Sequence, residues 1–220
     1  MKNRRKRETA AIIGEGITEK YYIESIKDLT KVSVLPRELN RKASNLQTLQ
    51  REIENAINLG FDFVYCLIDM DGKNDGANKQ SYQKLKMEFE GEHIDDKKGI
   101  KCKVVFIESE RCTELWFLYH FLKQPVTRKF NSYKEVEKVL KTYVKNYDKT
   151  DKFFKSIGNL HSLLTKRVPD GSLDNAVKNA ISSCKTKNEQ ERNYTYTEMH
   201  LLFDGLGIIK LQKKKIENNN

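Results

Sequence analysis

Hydrophobic residues along this chain fall into two recurring patterns, short continuous runs and stripes at helical spacing. Residues 9–13 form a continuous apolar run, the mark of a strand buried on both faces. From 18 to 29, Tyr21, Tyr22, Ile26 and Leu29 recur at helical spacing. Val32, Val34 and Leu35 predict a second strand that stops at Pro36. A helix capped by Ser44-Asn45 follows. Its stripe is Leu46, Leu49, Ile53, Ala56 and Ile57, and Gly60 stands just past its end. Residues 61–68 carry the strongest strand pattern, 73–78 read as a polar loop and 82–89 as a short helix. A fourth strand is predicted over 102–107, and an aromatic-rich helix over 112–122.

Strand and helix thus alternate four times. That rhythm predicts an α/β fold, a parallel four-stranded sheet flanked by helices. After Pro125 only helical patterns remain, over 133–144, 173–181 and 197–206. The expected organisation is a basic N-terminal arm (1–8), an α/β domain (9–123), a helical C-terminal extension packed on it (124–210) and a disordered tail (211–220).

Two strand ends break the apolar pattern with charge. The first run ends in Gly14-Glu15-Gly16 and the strongest strand in Asp69-Met70-Asp71-Gly72. Sheets of this class bind ligands beyond the carboxyl ends of their strands, where the strand order reverses. Hard oxygen ligands suit Mg²⁺ or Mn²⁺. Asp69 and Asp71, two apart, can point to the same side and hold one ion, with Glu15 completing the site or acting as a general acid–base. Taken singly, Glu15 reads equally well as a turn support and the aspartates as loop residues; the pairing of two acidic strand ends favours the metal.

Other motifs fail. A dinucleotide fingerprint needs glycine where Glu19 stands, and no Walker lysine follows. An EF-hand loop counted from Asp71 meets Lys73 and Tyr82 where acidic ligands belong. The four histidines lack zincin spacing, and Cys66, Cys102, Cys112 and Cys184 form no zinc pattern.

The net charge of +10 points to a polyanion, nucleic acid first. Lysines and aromatics interleave from Lys138 to Lys155. They read either as a surface that holds a nucleic-acid backbone and stacks bases, or as an amphipathic helix with a charged outer face. No apolar run approaches the roughly 20 residues of a membrane span, and the basic first residues lead into no apolar stretch. A cytoplasmic protein without membrane partners is expected.

Gly14-Glu15-Gly16-Ile17-Thr18-Glu19-Lys20-Tyr21-Tyr22, followed by Ile68-Asp69-Met70-Asp71, resembles a toprim domain. Within that group the chain is most similar to the RloB-like (AbiLii-type) family. The segment from Ser109 to Phe121, with Glu114, Trp116, Leu118, His120 and Phe121, resembles that family's Glu-x-Trp-x-Leu-x-His-Phe segment. Residues 192–206 resemble its C-terminal segment. The chain departs with Glu110-Arg111 in place of the usual Asn-Pro, and with Tyr194 where proline is frequent.

The resemblance implies a toprim-like catalytic domain, a metal-dependent endonuclease using Mg²⁺ or Mn²⁺. The substrate would be RNA, tRNA included, or DNA, in phage defence or abortive infection beside a companion AAA- or ABC-type ATPase. Glu15 would be the catalytic glutamate, and Asp69 and Asp71 the metal aspartates. Glu114 matches the family's glutamate and would be a third ligand or a substrate contact. Glu19, Lys73, Glu110 and His120 are further candidates for substrate or second-metal contacts. Two rival classes stay open: a nucleotidyl transferase or primase-like toprim enzyme, and a non-catalytic nucleic-acid-binding module regulated by a partner ATPase.

Overall fold

A computed structural model describes residues 7–38, 45–73, 76–127, 129–189 and 195–211. The sheet has five strands rather than the four expected, in the order β2-β1-β3-β5-β4. They are β1 (Thr9–Gly14), β2 (Ser33–Glu38), β3 (Phe63–Asp69), β4 (Gly91–Asp95) and β5 (Ile100–Ser109). β1, β2, β3 and β5 pair in parallel, while β4 is an antiparallel edge. β4 went unpredicted because Gly-Glu-His-Ile-Asp offers one apolar residue and no buried face. A tight turn closes its hairpin, with Asp95 Oδ1 accepting from Lys97 N–H (3.1 Å) and Lys98 N–H (3.2 Å).

Pro36 does not end β2. The strand runs through it to Glu38, with Pro36 opposite Ile12. β2 lies at the edge of the sheet, where a residue without N–H costs no ladder bond on its free side.

The period-two alternation of the inner strands divides the core into two layers. Ala11, Ile13, Val64, Cys66 and Ile68 face α2 (Leu46–Asn58) and α3 (Gly76–Phe89), meeting Leu49, Ile53, Ala56, Tyr82, Leu85 and Phe89. Asn45 caps α2, its Oδ1 accepting from Thr48 N–H at 2.9 Å, and Gly60 takes the left-handed conformation (φ 75°) just after it. α3 begins at Gly76, inside the stretch expected to be loop.

Ala10, Ile12, Tyr65 and Leu67 face the other way, toward α1 (Ile17–Ile26) and α4 (Glu114–Tyr119). Every residue of α4 is buried. The helices that enclose it come from the second half of the chain. They are α5 (Tyr133–Tyr143), α6 (Asp151–Ile157), α7 (Leu160–Ser162), which runs into a π-helical turn over Leu163–Arg167, α8 (Leu173–Glu189) and α9 (Met199–Gly205). α6, α7 and the π-turn had no counterpart in the expected elements. Val136, Leu140, Phe154, Ala176, Leu202 and Phe203 share one hydrophobic cluster with Ile12, Trp116 and Phe117. The helical half is therefore a wall of the sheet's own core.

The returning chain also pairs with the end of β5. Thr197 bridges Ser109, Glu110 N–H donates to Tyr196 O at 2.8 Å, and Glu198 N–H to Glu108 O at 2.8 Å. Arg7 donates to the carbonyls of Thr30 (2.6 Å) and Lys31 (3.0 Å). The rest of the predicted basic arm (1–6), most of the tail (212–220) and the motif residues Arg192, Asn193 and Tyr194 lie outside the described residues. Among the described residues, no helix is long and apolar enough to cross a membrane.

Candidate metal centre

The strand order fixes where a site should sit. From β1 the chain crosses to β2 on one side; from β3 it moves to β5 on the other. The reversal falls between β1 and β3, and their carboxyl ends carry Glu15 and Asp69. The two acidic strand ends thus flank the crevice where open α/β sheets bind ligands.

Glu15 and Asp71 line the outer part of this crevice, a cleft of ≈ 270 Å³ that also involves Gly72, Lys73, Asn78 and, from α2, Asn45, Leu46 and Leu49. Lys73 Nζ lies 2.8 Å from Glu15 Oε1 and donates to Asp69 O at 2.7 Å. Asp71 is largely exposed, and its Oδ1 is 2.8 Å from Arg111 Nη1. Arg111, in the left-handed conformation (φ 70°), is fixed by donating Nε–H to Phe130 O at 2.7 Å.

The inner part is built by Asp69, Glu19 and Glu114. Asp69 Oδ1 accepts from Thr113 N–H (2.8 Å) and from its hydroxyl (3.1 Å), so the turn into α4 holds the strand end. Burial first, then the charges of Glu19, Glu114 and Glu15, push the Asp69 carboxyl well above its ordinary pKa. Glu19 Oε2 accepts from Gly16 N–H at 2.9 Å, reaching back across the first turn of α1 as in a capping box. Burial and the neighbouring Glu114 charge raise the Glu19 pKa. Gly14 is required here by space: a Cβ on it would stand 2.4 Å from Glu19 Cβ.

Glu114 opens α4 and is fully buried. Its Oε1 accepts from Thr18 Oγ1 (3.0 Å) and Tyr147 OH (3.0 Å), and Lys149 Nζ is 3.2 Å away. Burial opposes the Lys149 charge, but Glu114, Glu19 and Asp69 outweigh it and raise its pKa. Cys112, also buried, is pushed well above its ordinary pKa by burial and by Glu114 and Asp69, so it stays a thiol.

The expected candidates therefore separate. Glu15, Asp69 and Glu114 come to one edge, as does Glu19, expected as a substrate or second-metal contact. Lys73 joins them as the partner of Glu15. Asp71 occupies the outer rim and not the Asp69 cluster, because Arg111 draws it outward. Glu110 is buried beside the returning chain, its Oε1 3.6 Å from Arg111 Nε. His120 is a core residue: Nδ1 lies 2.9 Å from Trp116 O, and burial pushes its pKa down to about 3. Lys149, Tyr147, Thr18 and Thr113 were not singled out. Lys149 and Tyr147 lay within the lysine–aromatic stretch, but nothing local marked them as reaching Glu114. That stretch sorts by direction: Lys138, Lys141, Lys145, Lys152 and Lys155 are exposed, whereas Tyr147 and Phe154 are buried and unable to stack bases.

Among the described residues, no three His, Cys, Asp or Glu side chains already converge as a ready-made metal cage. The donor chemistry nevertheless fits a hard cation. Glu19 Oε1 and Glu114 Oε2 are buried and have no hydrogen-bond partner, and both carboxylates act on Asp69. Orphaned buried carboxylate oxygens cost free energy unless a cation or proton satisfies them. No curated protein and no solved structure matches the chain. The family model described as RloB-like protein does match it, over residues 10–206, and the chain belongs to that family.

Proposed function

We propose that this chain is a Mg²⁺- or Mn²⁺-dependent endonuclease of toprim type. One observation carries the reading: Glu19 Oε1 and Glu114 Oε2 stand buried and unpartnered beside Asp69, at the edge where the sheet reverses. Asp69, Glu19 and Glu114 would hold the ion, with Glu15 at the mouth as a ligand or general base. A bound divalent ion would offset charge at the scissile phosphate and lower the pKa of a bound water.

The chain's own residues do the rest. Thr113 fixes the Asp69 carboxylate through two hydrogen bonds. Gly14 leaves the space that Glu19 fills, so that Glu19 and Glu15 can stand at the same strand end. Lys73, shared between Glu15 and the end of β3, is placed to meet a phosphate oxygen at the cleft mouth. The exposed lysines from Lys138 to Lys155 and the net charge of +10 suit a nucleic-acid backbone. RNA, tRNA included, and DNA are the substrates in view, in phage defence beside a companion ATPase.

The test is cleavage of labelled tRNA, single-stranded DNA and duplex DNA with Mg²⁺ or Mn²⁺ and with chelator, in the presence and absence of the companion ATPase. Wild type should cut at least one polymer only with metal, and Asp69→Asn should not. Equal behaviour of wild type and Asp69→Asn under every condition rejects the nuclease reading. Incorporation of nucleotides in its place selects the transferase.

A further inference from the structure

The charges around the crevice balance in a particular way. Three carboxylates meet a cation: Glu15 with Lys73 (2.8 Å), Asp71 with Arg111 (2.8 Å), which also lies 3.6 Å from Glu110, and Glu114 with Lys149 (3.2 Å). Two are held by neutral donors, Asp69 by Thr113 and Glu19 by the Gly16 N–H. In the inner group three carboxylates, Asp69, Glu19 and Glu114, face one ammonium, Lys149, which leaves two negative charges, the charge of one divalent ion. Glu19 is buried, and its free oxygen Oε1 lies out of reach of solvent.

Lys149 differs from the other two cations. Lys73 lines the outer cleft and Arg111 pairs with Asp71 at its rim, whereas Lys149 enters from the helical half to meet a fully buried carboxylate. Thr18 and Tyr147 hydroxyls fix the same Glu114 oxygen, so the ammonium has a built seat. Its charge is felt by Glu19 and Asp69 as well. A second divalent ion would have to share this enclosed space with a fixed positive charge, and like charges at short range in a poorly solvated site repel strongly.

We infer that the Lys149 ammonium stands in the place of a second cation, so that the centre takes one divalent ion per chain, bound by Asp69 and Glu19 with the free oxygen of Glu114. Lys149 is a positioning residue in this account: it holds Glu114 and sets the charge that remains for metal. The inference rests on the metal-dependent reading above, but it concerns binding and is tested without turnover.

Mn²⁺ bound per chain is counted by electron paramagnetic resonance on the full-length protein. Wild type should bind one Mn²⁺, Lys149→Met two, and Lys149→Arg one, since arginine restores the charge. Two ions in the wild type, or no additional ion in Lys149→Met, overturns the inference. A neutral residue that merely propped up Glu114 would not change the count. Circular dichroism checks that the variant is folded; if Lys149→Met is not, Lys149→Gln, which keeps a neutral donor to Glu114, replaces it. The wild-type count needs no variant at all. One ion bound without cleavage of any polymer leaves this inference standing and rejects the nuclease. No ion bound by wild type or any variant rejects both.

Discussion

Lys73 Nζ joins two strand ends that lie more than fifty residues apart in sequence: it meets Glu15 Oε1 at 2.8 Å and the Asp69 carbonyl at 2.7 Å. One ammonium therefore ties the turn after β1 to the end of β3 across the crevice. Glu15 and Asp71 line the cleft as an outer tier, and Asp69, Glu19 and Glu114 form an inner one.

The tiers predict a graded mutational response. Asp69→Asn removes a charge from the inner cluster and should lower metal-dependent cleavage by more than about 100-fold, as loss of a direct ligand would. Asp71→Asn removes an exposed carboxylate paired with Arg111, and should cost about tenfold or less. Single-turnover cleavage rates at saturating Mg²⁺ measure both. Equal losses would place Asp71 in the inner cluster.

Gly14 and Gly16 should part company. A methyl group on Gly14 would collide with Glu19 Cβ, which is fixed to the first turn of α1, whereas on Gly16 the nearest atom is Glu19 Oε2 at 3.4 Å, an ordinary contact. Gly14→Ala should destabilise the fold by about 1–3 kcal/mol. Gly16→Ala should be milder, because the backbone there is extended (φ −155°) and open to any residue. Urea denaturation of the two variants checks the order.

Away from the crevice, Glu108 is the polar knot between the sheet and the returning chain. It is buried on β5, and Oε1 accepts from Tyr82 OH and Lys86 Nζ, both at 2.8 Å. Oε2 accepts from Tyr196 OH at 2.8 Å and lies 3.4 Å from Lys187 Nζ. Glu108→Ala would leave two cations and two hydroxyls without their acceptor. Breaking a buried pair of this kind costs about 3–5 kcal/mol, readable as a lower denaturation midpoint.

Acid should unfold the protein earlier than its carboxylates alone would suggest. Burial pushes His120 down to about 3 and His200 to about 4, against an ordinary 6.5. Below that ordinary value the unfolded chain binds protons that the folded chain refuses, so stability falls as pH drops from ~6.5 toward 4, by up to roughly 1.4 kcal/mol per pH unit for each imidazole. Glu108 adds to the effect at lower pH. Burial opposes its charge, but Lys86, Lys187 and Tyr196 outweigh it and hold its pKa at about 2. Its contribution is complete above its ordinary 4.5 and disappears as pH falls toward 2. Asp69 and Glu19, raised by burial, act in the opposite sense over this range, so the decline is read from denaturation curves as the stability of wild type relative to a His120→Asn/His200→Asn variant at pH 7.5, 6 and 5. A flat profile would mean that both imidazoles are open to water.

Much of the sheet was legible in the sequence because its inner strands are continuous apolar runs. The edges were read less well: β4 has one apolar residue and went unpredicted, and β2 was expected but runs on through the proline that an edge tolerates. The acidic strand ends could be read because charge beside a buried strand is costly and so stands out. The partners that hold Glu114 could not, since they arrive by distant contacts. Thr18 and Glu114 are 96 residues apart, and Tyr147 and Glu114 are 33. Nothing in the spacing of the lysines distinguishes Lys149, which is turned inward, from Lys145 and Lys152, which face solvent.

The seat of Lys149 has a consequence for the order in which the protein becomes whole during synthesis. Glu15, Glu19 and Asp69 are made early, and Glu114 and Lys149 much later. The strand end at Ser109 gains its last neighbour only when Thr197 arrives. Until Lys149 has been made the carboxylates lack their internal counter-ion, and until Thr197 has been made the sheet lacks one wall. A chain cut before Glu114 would carry both acidic strand ends and still lack Glu114 and the ammonium that seats it.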